Sequence, residues 1–119
     1  MHADFFFDLS LAVFNPEDVA AKVFSALGMS DFESHESNNY ACGWYFSAAR
    51  QDLTFDLSLN EYSDGVSFAY WLSIENFKSE DKQDFEQLVS RFLTDLEKVS
   101  ARVVRVYDFG KKTMRLFPL

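Results

Sequence analysis

Few side chains of this chain could act together as a nucleophile and a base. Its only cysteine is Cys42, and its two histidines are His2, near the start, and His35, in a polar segment. Cys42 alternates with the apolar Tyr40 and Trp44, which predicts a small buried side chain rather than a reactive thiolate. The sequence contains no Gly-Xaa-Ser-Xaa-Gly elbow, phosphate-binding glycine loop or dinucleotide fingerprint. We therefore predict a protein without enzymatic activity.

The spacing of potential metal ligands does not match a known class of site. Asp31, Glu33, His35 and Glu36 bring carboxylate and imidazole groups into one segment. The segment lacks the glycine and the closing glutamate of an EF-hand, and it lacks the paired Cys and His residues of a zinc site. We expect a solvated acidic loop here, and we expect the protein to use neither a metal nor a cofactor.

Two carboxylates in the most regular alternating segment are too far apart to share a proton. Asp52 and Asp56 are predicted to lie on one side of a strand, which separates them by about 13 Å at the usual rise. Aspartic dyads and glycosidase pairs have shorter separations. The two residues therefore do not support a hydrolase.

Six segments alternate apolar and polar residues, which is typical of strands with one buried face. They are residues 3–13, 40–49, 52–60, 66–75, 102–107 and 113–117. In the first, Phe5, Phe7, Leu9, Leu11 and Val13 are expected to face the core. Ser63-Asp64-Gly65 predicts a hairpin turn before the fourth segment. The polar and acidic residues 29–39 are predicted to form a loop.

Two further segments repeat apolar residues at helical spacing. The first has Asn15 as a predicted cap, Pro16 at its first position and Gly28 just after its end. The second is predicted to begin after Ser79 and to end near Lys98. Their apolar stripes are Val19, Ala20, Val23, Phe24 and Leu27, and Phe85, Leu88, Val89, Phe92, Leu93, Leu96 and Val99.

The element order predicts a single α+β domain over residues 1–119. The order is β-α-β-β-β-α-β-β, with runs of strands rather than strict alternation of strands and helices. Such an order favours an antiparallel sheet, here of about five to six strands, with both helices on one face. Most of the 14 phenylalanines would then build the core between the helices and the sheet.

Charge and composition limit the location and the partners. The net charge is −8 and the pI is near 4.6, which argues against binding to a nucleic-acid backbone. A basic end is the local exception, and we expect its cations to pair with acidic neighbours: Arg102, Arg105, Lys111, Lys112 and Arg115. A single cysteine, no membrane-spanning apolar run and no signal peptide together predict a cytoplasmic protein with no membrane contact.

The sheet face opposite the helices is the predicted binding surface. It would collect aromatic side chains between carboxylates, which suits a basic protein partner, with the aromatics as anchors and the charges for steering. The candidate residues are Asp4, Phe6, Asp8, Tyr45, Asp52, Asp56, Trp71 and Glu75. An ordinary half-solvated sheet face stays open as an alternative. A homodimer in which Phe6, Tyr45 and Trp71 meet their own copies stays open as well.

In its size, acidity, lack of a cysteine framework and α+β order, the chain resembles immunity proteins of bacterial toxin–immunity pairs, including those of contact-dependent inhibition and other polymorphic toxin systems. The resemblance is one of general character across the whole chain, and it carries over no residue roles. It implies a protein that blocks a basic, nuclease-like toxin by covering the active cleft with carboxylates.

Two other functions are compatible with the sequence. The order from the first helix onward also resembles small acidic type III secretion chaperones, although the C-terminal helix common in that family is missing and a first strand is added. That resemblance implies a stable homodimer. The third possibility is a small enzyme or ligand-binding domain with a pocket between the sheet and the helices, lined by Tyr40, Trp44 or Tyr70.

Overall fold

A computed structural model describes residues 1–11, 15–38, 42–60, 68–76, 81–107 and 115–118, the last segment by its backbone alone. The elements in chain order are β1 (His2–Leu9), α1 (Pro16–Ala26), β2 (Glu33–Glu36), β3 (Trp44–Arg50), β4 (Leu53–Leu59), β5 (Tyr70–Asn76), α2 (Lys82–Glu97), β6 (Ser100–Tyr107) and β7 (Arg115–Pro118). Each strand pairs antiparallel with its neighbours, and the order in the sheet is β2-β3-β4-β5-β1-β6-β7. The predicted α+β class is confirmed, and the predicted order of elements is confirmed apart from one additional strand, β2.

The short strand β2 is the element that the sequence did not indicate. Residues 29–39 were predicted to be a loop, but Glu33 to Glu36 pair with Ser47 to Trp44 of β3. All four residues of β2 are polar and none is fully buried, so the segment lacks the apolar alternation that indicates a strand. An edge strand needs only backbone pairing on one side, and charged side chains are common there.

Both helices begin at capping side chains. Asn15 caps α1, as predicted, and its Oδ1 accepts a hydrogen bond of 2.9 Å from the amide of Glu17. Asp81 caps α2 and accepts from the amides of Gln83 and Asp84. The predicted cap Ser79 lies outside the described residues. After α1, Gly28 adopts a φ of +82°, the left-handed conformation that glycine tolerates best.

The core lies between one face of the sheet and the two helices. The predicted stripes are confirmed: their residues are either fully buried or packed against the buried cluster. The strands contribute Phe5 and Phe7 of β1, Phe55 of β4 and Ile74 of β5, each at most 1% exposed. This packing fixes which sheet face is covered, so the opposite face is left without a helix among the described elements.

Three predictions about the ends of strands are wrong. β1 ends at Leu9, where the pairing with β6 shifts register, and Leu11 beyond it is exposed rather than buried. β5 begins only at Tyr70, and Phe68 contacts Phe6 on the face away from the helices instead of facing the core. Cys42 precedes β3 and is partly exposed. In each case the alternating pattern continues past the last backbone pair, so periodicity alone placed the boundary too far out.

Candidate functional site

Cross-strand pairing orders the side chains of the helix-free face into rows that run across the strands. The central row contains Glu33, Ser47, Asp56, Ser73, Asp4 and Val106. A second row contains His35 and Tyr45 on one side and Ser58, Trp71, Phe6 and Val104 on the other. A third contains Ala49, Thr54, Glu75 and His2. We call the surface formed by these three rows the open face.

Carboxylates at the centre of the open face lie close to one another. Asp56 is directly opposite Ser73, and Glu75 is two residues further along the same strand, so the two acidic residues are diagonal neighbours, about 7–8 Å apart. Partial burial raises the pKa of Asp56, the charge of Glu75 raises it further, and the nearby His35 opposes the shift. The folded structure therefore holds two acidic groups that repel each other. We call this pair, Asp56 and Glu75, the acidic centre.

Asp4 differs from these two acidic residues because it is enclosed. The residue is 4% exposed, and its Oδ1 accepts a hydrogen bond of 2.9 Å from Nε1 of Trp71. Nε2 of His2 lies 3.5 Å from the other carboxylate oxygen. Asp4 was predicted to contact a partner directly; its geometry instead fixes the orientation of the half-buried indole.

One end of the open face is closed by a cation and an aromatic ring. Asp8 accepts hydrogen bonds of 2.8 Å from Nε of Arg102 and from the amide of Ala69. The guanidinium of Arg102 lies 4.3 Å from the ring centre of Phe68. Phe6 is 0% exposed, and the centre of its ring lies 6.5 Å from that of Phe68. The prediction of Phe6 as an exposed anchor is therefore wrong, and the charge of Asp8 is already neutralised.

The second row carries two stacked rings at its other end, on β2 and β3. His35 and Tyr45 are cross-strand partners whose rings are 4.5 Å apart and inclined by 13°. Nε2 of His35 lies 2.7 Å from Oγ of Ser47. Sequence patterning does not indicate this cluster, because residues 29–39, which include His35, are predicted to form a loop. Its partnership with Tyr45 depends on the pairing of β2 with β3.

The close approach of His35 to Ser47 has the distance of a base–nucleophile pair, but its surroundings do not favour acyl transfer. Glu33 approaches the same nitrogen, Nε2, at 3.7 Å, rather than the nitrogen on the far side of the ring, where a triad needs its carboxylate. Ser47 is paired with Glu33 of β2 and with Asp56 of β4, so it lies within both ladders rather than on the sharp turn that exposes a nucleophile. The contact instead holds the imidazole against Tyr45.

Asp52 is the predicted site residue that lies off the open face. Arg50 and Leu53 form the last pair between β3 and β4, so Gln51 and Asp52 make the connecting turn. Gln51 has a φ of +57°. The prediction that Asp52 and Asp56 share a strand face is wrong because β4 begins one residue after Asp52. The other predicted residues belong to β1, β3, β4 and β5 and lie on the open face.

The basic end of the chain follows the prediction where its side chains are described. Arg102 pairs with Asp8, and Arg105 donates to Glu86 of α2, with 2.8 Å between Nη2 and Oε1. Because of this hydrogen bond, the pKa of Glu86 is lowered and that of Arg105 is raised. Lys111, Lys112 and the side chain of Arg115 lie outside the described parts.

No family model matches this sequence, and no curated protein matches it significantly. Neither of the two described helices has the length and hydropathy needed to cross a membrane. Within the described residues there is also no group of three or more metal-binding side chains arranged to hold an ion. A functional assignment therefore has to start from the geometry of the open face.

Proposed function

We propose that the chain is a non-enzymatic, acidic protein-binding domain that holds the cationic surface of a partner protein on its open face. In its specific form, the proposal is an immunity protein that neutralises a basic toxin by covering the active site. The observation that carries the proposal is the placement of Asp56 and Glu75. They are diagonal neighbours on a sheet face that no described helix covers.

The energetics of these carboxylates favour a cationic partner. Holding two like charges on a partly desolvated surface costs free energy in the isolated protein. A Lys or Arg side chain from a partner would offset that repulsion, and the acidic field would accelerate the encounter. Among the described side chains of the open face, Arg102 is the one permanent cation, and it is bonded to Asp8 at the far end. A cation of the partner would add a compensating charge beside Asp56 and Glu75.

Two aromatic side chains are suited to act as anchors beside the acidic centre. Trp71 is held by its hydrogen bond to Asp4, and Tyr45 is held by stacking on His35. Both are only partly buried. A ring that is already ordered loses little conformational freedom when a partner covers it, and Trp and Tyr are frequent hot spots at interfaces.

A homodimer formed through the open face, as the chaperone alternative would allow, is less favourable on the same grounds. A two-fold contact places a surface against its own copy. Such a contact would desolvate the Asp56 and Glu75 carboxylates of both copies in one interface, without bringing a cation to them from this part of the surface. The open face is better matched to a partner of opposite charge.

Capture and rescue experiments test the proposal. The immobilised protein and its Asp56→Lys/Glu75→Lys variant are exposed to a lysate of the source cells, and retained proteins are identified by mass spectrometry. We expect a basic protein on the wild type only. Its expression should arrest growth, and co-expression of the wild-type chain should restore growth. Failure to retain a basic protein, or equal retention by the variant, would contradict the proposal.

A further inference from the structure

A cavity of about 290 Å³ opens beside the start of β2. β2 begins at Glu33, opposite Ser47, whereas β3 continues to Arg50. The last residues of β3 therefore have no β2 partner, and a recess is left at this edge. Its lining includes Asp31, Phe32, Glu33, Ser47, Ala49 and Thr54.

The lining combines a base of small side chains with an acidic rim. Ala49 and Thr54 are cross-strand partners that present only small side chains. Phe32 is partly buried, since its ring packs 5.6 Å from Phe24 and 5.7 Å from Phe46, measured between ring centres. Asp31 and Glu33 are exposed. The recess therefore combines small side chains, two of them with a hydroxyl group, with negative charge at its mouth.

The recess adjoins the acidic centre of the open face. Ser47 is opposite Asp56, and Thr54 is opposite Glu75, so both acidic residues lie one strand away from lining residues. The arginine nearest in sequence, Arg50, is directed elsewhere. Its Nη1 donates to the carbonyl of Leu27 at 3.0 Å, and its guanidinium lies 5.6 Å from the ring centre of Phe92 on the helix-covered side.

We propose that this recess receives an arginine side chain of the partner protein, an inference that rests on the proposed function and deepens it. The methylene groups of arginine would cover Ala49 and Thr54. The planar guanidinium would lie near the Phe32 ring and donate to Asp31 and Glu33 at the mouth. Arginine fits this site better than lysine because a flat fork of donors serves two carboxylates and an aromatic ring together.

A second cavity differs from the acidic recess in its charge. It has a volume of about 530 Å³ and is lined by residues that include Phe68, Glu97, Ala101 and Arg102. Its permanent charges are one carboxylate and one guanidinium, so it offers no excess of negative charge to a cation. This cavity provides a matched control because Ala101, like Ala49, is an exposed alanine in a strand.

The test is a titration of the isotopically labelled full chain with arginine amide, followed by nuclear magnetic resonance. Citrulline amide, the uncharged isostere, is the control ligand. We expect saturable shifts at the amides of Phe32, Glu33 and Ala49, with citrulline amide binding at least about tenfold more weakly since it lacks the charge. Equal responses to both ligands, or shifts confined to other regions, would overturn the proposal.

Filling the recess separates its role from that of overall charge. Ala49→Leu should abolish the saturable response to arginine amide and weaken partner binding at least about tenfold, the cost expected for losing a buried anchor. Ala101→Leu should leave the affinity for arginine amide and the affinity for the partner within about twofold of the wild-type values. Melting curves establish that both variants fold. Glu33→Gln provides a second test, because it removes a charge from the mouth and leaves the volume of the recess unchanged. Full binding by Ala49→Leu would overturn the proposal.

The results also distinguish this inference from the proposed function. If arginine amide does not bind, but Asp56→Lys/Glu75→Lys still abolishes capture of a basic partner, the recess proposal fails and the proposed function stands. If arginine amide binds as expected, but no basic protein is captured, the proposed function fails, whereas the assignment of the recess as a site for an arginine side chain stands.

Discussion

The two faces of the sheet handle charge in opposite ways. On the face covered by helices, the side chain of Arg105 is 12% exposed and is hydrogen bonded to Glu86 of α2. On the open face, Asp56 and Glu75 are neighbours, and partial burial together with the charge of Glu75 raises the pKa of Asp56. One face encloses a charge together with its partner, whereas the other keeps like charges together at its centre.

This difference shows on which face the fold tolerates repulsion between like charges. Helix packing desolvates the covered face, and an unpaired charge there would cost several kcal/mol. The open face is partly solvated, so its repulsion is weaker and the fold can retain it. Surfaces that keep such repulsion are candidates for binding, because a partner can remove it.

Truncating a core ring should distinguish the faces most strongly. Phe55 is 0% exposed and makes an edge-to-face contact with Phe92, with 5.0 Å between ring centres. Phe55→Ala should lower the free energy of unfolding by about 3–5 kcal/mol because it leaves a cavity. Tyr45→Ala on the open face should cost about 1 kcal/mol or less. Urea denaturation followed by circular dichroism measures both, and equal losses would contradict the assignment of faces.

Breaking the ion pair on the covered face should have an intermediate effect that depends on pH. The pKa of Glu86 is lowered in the folded protein, so its stabilisation is present above the unfolded value and is lost as the pH falls through the folded value. Glu86→Gln should therefore cost roughly 1–2 kcal/mol at pH 7, after allowance for the exposure of this carboxylate. The difference from the wild type should vanish in acid. A difference that persists after the pH has fallen through the folded pKa would show that the pair acts through packing.

Removing a charge from the open face should have the smallest effect, with the opposite sign. Because the pKa of Asp56 is raised, its ionised form destabilises the fold at neutral pH. The penalty shrinks as the pH falls through the folded pKa and is gone below the unfolded value. Asp56→Asn should stabilise the free protein by up to about 1 kcal/mol at pH 7. Thermal melting at several pH values measures this, with Ser73→Ala as a neutral control. Destabilisation by Asp56→Asn would contradict repulsion at this site.

The sequence predicted those parts of the fold whose side chains obey a period. Helical spacing identified both stripes, and Asn15 with Pro16 located the start of α1, because the capping chemistry is local. Most strands were found because one side of each is buried against the helices. β2 was missed because an edge strand of polar residues is specified by its neighbour β3 rather than by its own pattern.

The open face was predicted in outline, but its internal contacts were not. Alternation placed Asp56, Trp71 and Glu75 together on one side of the sheet. Burial of Phe6 was not predictable, because it depends on Phe68, which lies beyond the start of β5. The ion pair between Asp8 and Arg102 joins residues 94 positions apart in the sequence, and it depends on the register between β1 and β6.

The central claim is that a cationic partner binds the open face, and a matched charge reversal tests it most directly. Asp56→Lys/Glu75→Lys is compared with Glu17→Lys/Glu97→Lys, which changes the net charge equally at exposed positions of the two helices. The affinity of the captured partner is measured by calorimetry for both variants and the wild type. We predict a loss of about 100-fold or more for the open-face variant, because two close charge pairs are reversed, and a change within about threefold for the helix variant. Equal losses for both variants, or unchanged binding by the open-face variant, would contradict the account.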